Sequence, residues 1–590
     1  MTATHTARTL LALAAVAVAF AAADTYVVVL ALPDMMTSVG LSIDELQRAA
    51  PIISGFLLGY VAMLPLIGRI ADLHGRLPVL VASLLVFGFG SLVTAAAYDL
   101  PSLVTGRFLQ GVGGGGLVPV TLALVADIYP AEHRGVPLGV VGAVQELGSV
   151  LGPLYGAAVL VVGDWRDIFW INLAVGLLLA AAIVSLGRPR PGPAPDRARR
   201  PDVAGLTLLG LFVASLLLVL RQPDGLVTSV QWGGPFVPFQ DGGSRWASPV
   251  GIIAVVLGVA VVGWLLAAPR LGFRGFVDVP GWWSSLREAD VPGAALLAVS
   301  LGGVILAFAT ANPEVEVFSP AGPWYLAVAG VAAVLFWLHN RRTPQPLVPQ
   351  RALAARPAWG AVVASFFIGA ALIAALVDIP VFARLTVYGD SQVKAALVLV
   401  EFLVALPVGA VLGGFLTRRF AAGTVAACGM AAAALGFWLM AGWHESALHH
   451  LSSSATLALA GLGFGLALAP VNAALLACTD AAVHGITSAL LVVSRMVGML
   501  VGISVLTTIG LRRYYAEQGD IPSAREVCGG TRTRCSDYTD LLQHAGIAQL
   551  HAIFLGAMAC ALLAAGFALV TFRGAATRDT TTSTMLRTAG

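Results

Sequence analysis

Long apolar runs alternate with short polar breaks from one end of the chain to the other. Most are long enough to cross the ~30 Å hydrocarbon layer of a bilayer as helices. Only helices and closed barrels satisfy their backbone groups there. Six spans are expected near 9–32, 48–68, 78–97, 103–128, 136–162 and 168–187, and six more near 358–384, 393–416, 421–441, 455–477, 485–512 and 548–572. Four further apolar segments lie between the two sets, near 203–220, 249–268, 293–311 and 324–339. These look like two copies of one hairpin. The first opens with Asp202-Val203-Ala204-Gly205 and returns at Ala247-Ser248-Pro249; the second opens with Asp290-Val291-Pro292-Gly293 and returns at Ala321-Gly322-Pro323. The expected fold class is an all-α polytopic membrane protein with 14–16 spans, sixteen favoured, or fourteen if one central pair does not span. The expected division is a six-helix bundle over 1–187, a basic linker with two hairpins over 188–357, a second bundle over 358–573 and a disordered tail over 574–590. Two halves around a linker suggest a repeat architecture.

Composition agrees. Of 590 residues 58% are hydrophobic and 11% charged, with mean hydropathy +0.87, whereas a soluble domain carries roughly 25% charged residues. Placement of charge matters more than the net +3. The break RPRPGPAPDRARRPD, 188–202, carries five arginines. Arg69, Arg76, Arg134, Arg270, Arg274, Arg287, Arg341, Arg342, Arg351, Arg418 and Arg419 all fall in turns on the same side. By the excess of positive charge that side is cytoplasmic. Both termini are then cytoplasmic, in a multi-pass protein of the cytoplasmic membrane. Arg8 followed by an apolar stretch and Ala21-Ala22-Ala23 has features of a signal peptide, but the run continues through TYVVVLALP, so an uncleaved first span is expected.

Two outside loops are long, 221–248 and 513–547. The second contains CGGTRTRC, and an oxidising exterior would favour a disulfide between Cys528 and Cys535 over two free thiols. His444, Glu445, His449 and His450 crowd a short outside loop without fixed ligand geometry, so no metal is expected.

Several motifs resemble those of the major facilitator superfamily. Gly68-x3-Asp72-x2-Gly75-Arg76 fits its cytoplasmic loop after span two. Arg107-x2-Gln110-Gly111 resembles its intramembrane Arg motif. Gly148-x3-Gly152-Pro153-x2-Gly156 resembles the motif of its antiporters, with Ala157 in place of the usual next glycine. The stretches DTYVVV, LPVTLALVAD, QELGSVLGPLYG, WRDIFWIN, LVALPVGAVLGG and HGITSALLVVSRMVGMLVG are similar to actinobacterial exporters that work beside a periplasmic lipoprotein and are associated with export of triacylglycerides and with drug tolerance. Those are usually described with fourteen spans, so the extra hairpin here is a departure.

The resemblance implies a secondary transporter, with a lipid such as triacylglyceride exported by alternating access in exchange for protons, the proton gradient being the driving force. The alternative is a broad drug/proton antiporter with the same motifs. A periplasmic lipid-carrying lipoprotein is the implied partner besides bilayer lipid. No cofactor and no nucleic-acid partner are expected, and a monomer is the expected unit. HExxH, GxSxG and P-loop signatures are absent from the sequence, which argues against an enzyme and against an ATP-driven pump.

The residues give these motifs physical roles. Gly148, Gly152 and Gly156 share one helix face and allow close helix packing; Pro153 can bend the helix, and simple packing is as good an account as a gating hinge. Asp72 would meet the positive end of the span starting near Gly485, worth ~0.3–1 kcal/mol, with Arg76 and Asp127 extending a latch that closes the cytoplasmic side. The bland reading is a turn that sets topology.

Three charges lie within the expected spans. Asp24 sits inside the apolar run Leu10–Pro33, with Glu146 in span five and Arg495 in span eleven. At 1.5 Å per residue the latter two are ~15 Å from the cytoplasmic edge, and Asp24 lies slightly further out. Intramembrane ionisable residues usually face a cavity or pair with one another. An apolar setting favours a neutral carboxyl and a nearby guanidinium favours a charged one, so opening and closing could alternate proton affinity. Asp24, Glu146 and Arg495 are therefore expected in proton coupling or interbundle pairing; a permanent pair that holds the halves in register remains the other account. Glu401 in span eight is a weaker candidate for a second proton or substrate-contacting site, and Asp378 in span seven for the outer vestibule.

Overall fold

The computed structural model describes residues 2–41, 46–187, 200–229, 231–240, 243–268, 271, 273–274, 278–309, 321–388, 392–519, 521–528 and 535–575. Most of the basic break 188–202, most of the acidic loop 312–323 and nearly all of the tail 574–590 lie outside them. Six long helices come first: α1 (Thr2–Ser38), α2 (Leu46–His74), α3 (Arg76–Ala96), α4 (Leu100–Ile128), α5 (Gly135–Val162) and α6 (Trp165–Gly187). The central region holds α7 (Val203–Arg221), the single turn α8 (Asp224–Val227), α9 (Pro249–Ala267), α10 (Val279–Glu288), α11 (Val291–Ala309) and α12 (Gly322–Arg342). Then follow α13 (Arg356–Thr386), α14 (Gln392–Leu416), α15 (Ala422–Met440), α16 (Leu451–Ala477), α17 (His484–Gly519), the short α18 (Ala524–Val527) and α19 (Ser536–Thr571). Fifteen helices are long and apolar enough to cross a membrane among the residues searched. The 28-residue α5, packed along α1, is of the same length. The only strand pairing among the described residues is a two-residue parallel bridge, β1 (Arg200–Pro201) with β2 (Phe273–Arg274).

The two central hairpins share more than their opening residues. Asp202 caps α7 through Gly205 N (2.8 Å), and Asp290 caps α11 through Gly293 N (3.1 Å). Each capping carboxylate is also met by a side chain from its own return helix. Trp264 Nε1 donates to Asp202 at 2.9 Å, and His339 Nε2 lies 2.7 Å from Asp290. A buried carboxylate bonded from both limbs ties the foot of each hairpin, since such a group is costly unless hydrogen-bonded. The hairpins attach at different places. Helix α11 lies along α2 and touches α17, whereas α7 packs its Leu216 and Leu220 on Leu92, Val93 and Ala96 of α3.

Two expectations need correction. The loop 513–547 is largely helical: α17 continues through Arg-Arg-Tyr-Tyr to Gly519, and α19 begins at Ser536. Each helix has 36 residues, ~54 Å at 1.5 Å per residue, and so outruns a ~30 Å hydrocarbon layer. The disulfide Cys528–Cys535, with Cα atoms 5.8 Å apart, ties the segment joining them. The segment after α9 contains the short helix α10, whose Trp282 and Ser285 turn inward while Trp283 is exposed.

Glycine sets the closest helix crossings. A Cβ on Gly148 would fall 2.1 Å from Ala19 O, and one on Gly152 2.4 Å from Ala23 O. At Gly156 it would meet Val27 Cγ2 at 2.5 Å. The motif is thus the seam by which α5 lies on α1. Gly142, on the same helix, has open space around its Cβ position. Gly148→Leu should therefore lower folded yield and thermal stability, by at least the ~1–3 kcal/mol of overpacking, while Gly142→Leu should leave both near wild type. Fluorescence-detected size-exclusion chromatography and a thermal ramp check this.

Candidate functional site

Asp24, on α1, is 1% exposed and faces the first bundle. Its Oδ2 receives Arg107 Nη1 from α4 at 2.7 Å. Its Oδ1 accepts from Asn172 Nδ2 on α6 and, at 3.4 Å, from Gln110 Nε2. Gln110 also donates to Ser91 Oγ (2.8 Å), and its Oε1 accepts from Arg107 (2.9 Å) and Thr94 Oγ1 (3.2 Å). The Arg107 guanidinium lies 4.5 Å from the Phe56 ring centre. Burial of an ion pair is tolerated where its remaining hydrogen-bond capacity is met; Gln110 and Asn172 meet part of it here, while Arg107 Nε has no hydrogen-bond partner. Gly111 lets the helices close around the network, since its Cβ would lie 2.1 Å from Phe56 O. Asp24 was expected to pair across the bundles with Arg495; its partner is Arg107 of its own bundle. Asn172 and Ser91 were not anticipated, and the signal for Asn172 was an amide inside an apolar span.

Glu146 and Arg495 face one cavity from opposite halves, without an ion pair between them among the described residues. Both line a cavity of about 270 Å³ between the bundles. Its walls come from α1, α2, α4 and α5 on one side and α13 and α17 on the other. Tyr60, Phe56 and Leu57 face Leu372, Met496 and Leu500, and Arg107 reaches it from behind. Each of Glu146 and Arg495 is over nine-tenths buried. Opposite charges in such a setting attract more strongly than they would in water. Along α2 the lining runs from Val61 to Ile53, away from Asp72.

The halves are latched at the Asp72 end. Asp72 Oδ1 accepts Gly485 N (2.8 Å) and Oδ2 accepts Ile486 N (3.0 Å), at the start of α17. Arg76 Nη1 lies 2.7 Å from Asp72 Oδ1, Nη2 donates to Ala481 O (2.9 Å), and Nε is 3.5 Å from Asp127. Helix N-termini present unpaired N–H groups to an anion. Gly68 is needed because its Cβ would sit 2.6 Å from Gly485 O, and Gly75 holds φ +99° at the turn. A second crossing was not anticipated as a contact: Arg134 Nη1 donates to Leu476 O (3.0 Å) on α16, and Gly135 and Gly139 lie against Gly414 and Ala410 of α14. The insert reaches this gate too. His74, between Asp72 and Arg76, has its Nδ1 3.1 Å from Ser285 Oγ and packs its ring, tilted by 36°, against Trp282 of α10 with ring centres 4.4 Å apart.

The latch gives a direct prediction. Asp72→Asn removes the charge that assists two backbone hydrogen bonds, each worth ~1.5–3 kcal/mol. Thiol labelling of a cysteine placed at Val483, buried beside the latch, should accelerate about tenfold, the ratio set by ~1.4 kcal/mol.

The other candidates lie elsewhere. Asp378 is buried but lies on the flank of α13 shared by Ala371, Ala375 and Phe382, whereas the cavity takes Leu372, Ile373 and Leu376. Glu401 is exposed on the stripe of Leu397, Val404, Val408 and Leu412, the flank of α14 turned away from α16 and α5. Neither belongs to the cavity lining, so the vestibule and second-site expectations do not match this geometry. Glu445 lies 3.0 Å from His544 Nε2.

Two six-helix sets with a cavity between them and a latch at one end are the architecture of a transporter. The sequence profile of the Major Facilitator Superfamily matches residues 14–503. The chain belongs to that superfamily. This facilitator is 34% identical over 520 residues to the triacylglyceride transporter of Mycobacteroides abscessus, covering 86% of this chain and 83% of the relative. It is 35% identical over 513 residues to the triacylglyceride transporter of Mycobacterium tuberculosis, covering 84% and 82%. Among solved structures, the human organic anion transporter of the superfamily aligns with TM-score 0.53 at 13% identity, over 95% of this chain and 99% of that one. A proton:xylose symporter aligns with TM-score 0.51 at 14% identity, over 95% and 94%. These share the fold. This facilitator is a multi-pass membrane transporter and not an enzyme.

Proposed function

We propose that the protein exports a neutral lipid of the triacylglyceride class across the cytoplasmic membrane by proton-coupled alternating access. The observation that carries the reading is the interbundle cavity, apolar on most of its wall, with Glu146 and Arg495 facing it from opposite halves. Esters and acyl chains suit such a wall, and the names of the relatives point to the same substrate class. The Arg-rich Asp72 end is cytoplasmic, so the latched form is closed to the cytoplasm. Both termini then lie inside, and the disulfide end faces the compartment where a lipid-carrying lipoprotein would receive the cargo.

Protonation of Glu146 from the outside cancels its attraction to Arg495 and frees the halves to re-pack. The proton leaves on the inside, restoring the charge. A proton thus enters for lipid that leaves. Reconstitution of the full chain into vesicles with a defined pH gradient tests the reading, with labelled triacylglyceride in one arm and a cationic dye in the other. Gradient-dependent lipid movement is the expected result. Dye movement without lipid movement would replace the substrate assignment with a drug antiporter, and gradient-independent lipid movement would remove the coupling.

A further inference from the structure

The hairpin α7–α9 and the first bundle meet along the seam of Leu216 and Leu220 on α3, and beside that seam they part. The space between them is a groove of about 440 Å³, within the usual range of ligand sites. Phe89 and Leu109 form one wall, Phe212 and Val259 the other, and Thr105 lies along its course. One end is polar. Asp99, Ser102, Tyr98 and Trp246 surround that mouth, and Arg245 stacks on Tyr98 with its Cζ 3.9 Å from the ring centre. From Asp99 to Leu109 is ten residues of α4, ~15 Å at 1.5 Å per residue. That is half of a ~30 Å hydrocarbon layer. The groove therefore has the length of one leaflet, apolar through its depth and charged where the headgroups lie.

We propose that this groove is a site for one zwitterionic aminophospholipid, a phosphatidylethanolamine, from the leaflet at the disulfide end. An acyl chain fills the space between hairpin and bundle. The ammonium meets Asp99, whose Oδ1 already accepts the N–H of Ser102 at 2.9 Å. The phosphate meets Arg245, whose Nη1 donates to Leu220 O at 3.0 Å and whose guanidinium lies over the Tyr98 ring. Guanidinium and phosphate are a matched pair. The opposite signs at one mouth select a headgroup carrying both charges over an anionic one, and a neutral triacylglyceride has nothing to offer either. The lipid acts as mortar for the hairpin, which touches the bundle along so narrow a seam. The site is separate from the interbundle cavity, so it stands or falls independently of the transport reading.

Native mass spectrometry of the purified full-length protein, titrated with dioleoyl phosphatidylethanolamine, phosphatidylcholine and phosphatidylglycerol, tests this. One phosphatidylethanolamine should survive activation about tenfold more often than one phosphatidylglycerol, the effect of one charge-assisted hydrogen bond. Asp99→Asn keeps a competent helix cap and should abolish that preference, as should Arg245→Gln. Thr105→Trp should fill the groove and remove the adduct altogether. Equal retention of all three lipids by the wild type, or an undiminished adduct in Thr105→Trp, would overturn the assignment.

Discussion

Glu146→Gln should reduce gradient-driven lipid export to the level of protein-free vesicles while leaving the protein folded. Glutamine fills the same space in the cavity wall and can still accept a hydrogen bond, so packing around Tyr60 and Met496 should hold. What it loses is the ability to change charge opposite the Arg495 guanidinium. Wild-type export should rise as the outside is acidified, because protonation there is what releases the two halves. In the variant that dependence should disappear, and only slow, gradient-independent equilibration of lipid should remain. Parallel measurements at several outside pH values, with folded protein counted by size-exclusion chromatography, separate loss of coupling from loss of protein. A variant that still exports with the wild-type pH dependence would sink the proton role of Glu146.

The sequence allowed Glu146 and Arg495 to be placed opposite each other, but it misdirected Asp24, and the reason is geometric. Residue counting along a span gives depth, and depth brought all three charges near one level. It does not give the direction in which a helix face points. Arg107 was visible as a motif residue in α4, yet only the rotation of α1 about its axis decides whether Asp24 meets it or the cavity. Glu401 failed for the same reason in a sharper form. Apart from Gln392, Lys394 and Glu401, α14 is apolar on every side, so no periodicity marks which face meets lipid, and Leu397, Val404 and Val408 proved to be neighbours of Glu401 on the outward stripe. The latch was legible because it needs only a carboxylate in one turn and a helix start in another. The lengths of α17 and α19 were hidden because beyond the hydrocarbon a helix needs no apolar side chains, and Arg512-Arg513-Tyr514-Tyr515 reads as loop by hydropathy alone. The central insert could be counted, but not its docking on His74, which depends on tertiary packing of Trp282 and Ser285.

Arg107→Ala should be among the most damaging single substitutions in the first bundle. It removes the cation facing Asp24 and leaves a carboxylate whose side chain is 0% exposed with only the amides of Gln110 and Asn172 beside it. Removing one member of a buried pair costs ~3–5 kcal/mol, because the partner stays behind uncompensated. The loss of guanidinium packing over Phe56 adds to that. A large fall in the thermal midpoint of the purified protein is therefore expected, with α1, α3, α4 and α6 loosened together, since the network joins all four. Asp24→Leu alone should be damaging by the mirror argument, leaving Arg107 without its anion. The double variant Asp24→Leu with Arg107→Met should recover much of the stability, because replacing both charges with apolar groups removes two desolvation costs at once. A thermodynamic cycle over the four proteins then gives the coupling between the two residues directly. Strong coupling in stability, together with pH-driven export retained by the double variant, would make Asp24 a structural anchor and leave the proton to Glu146. Additive effects would mean that the pair does not hold the bundle together, and the role assigned to Arg107 would fail.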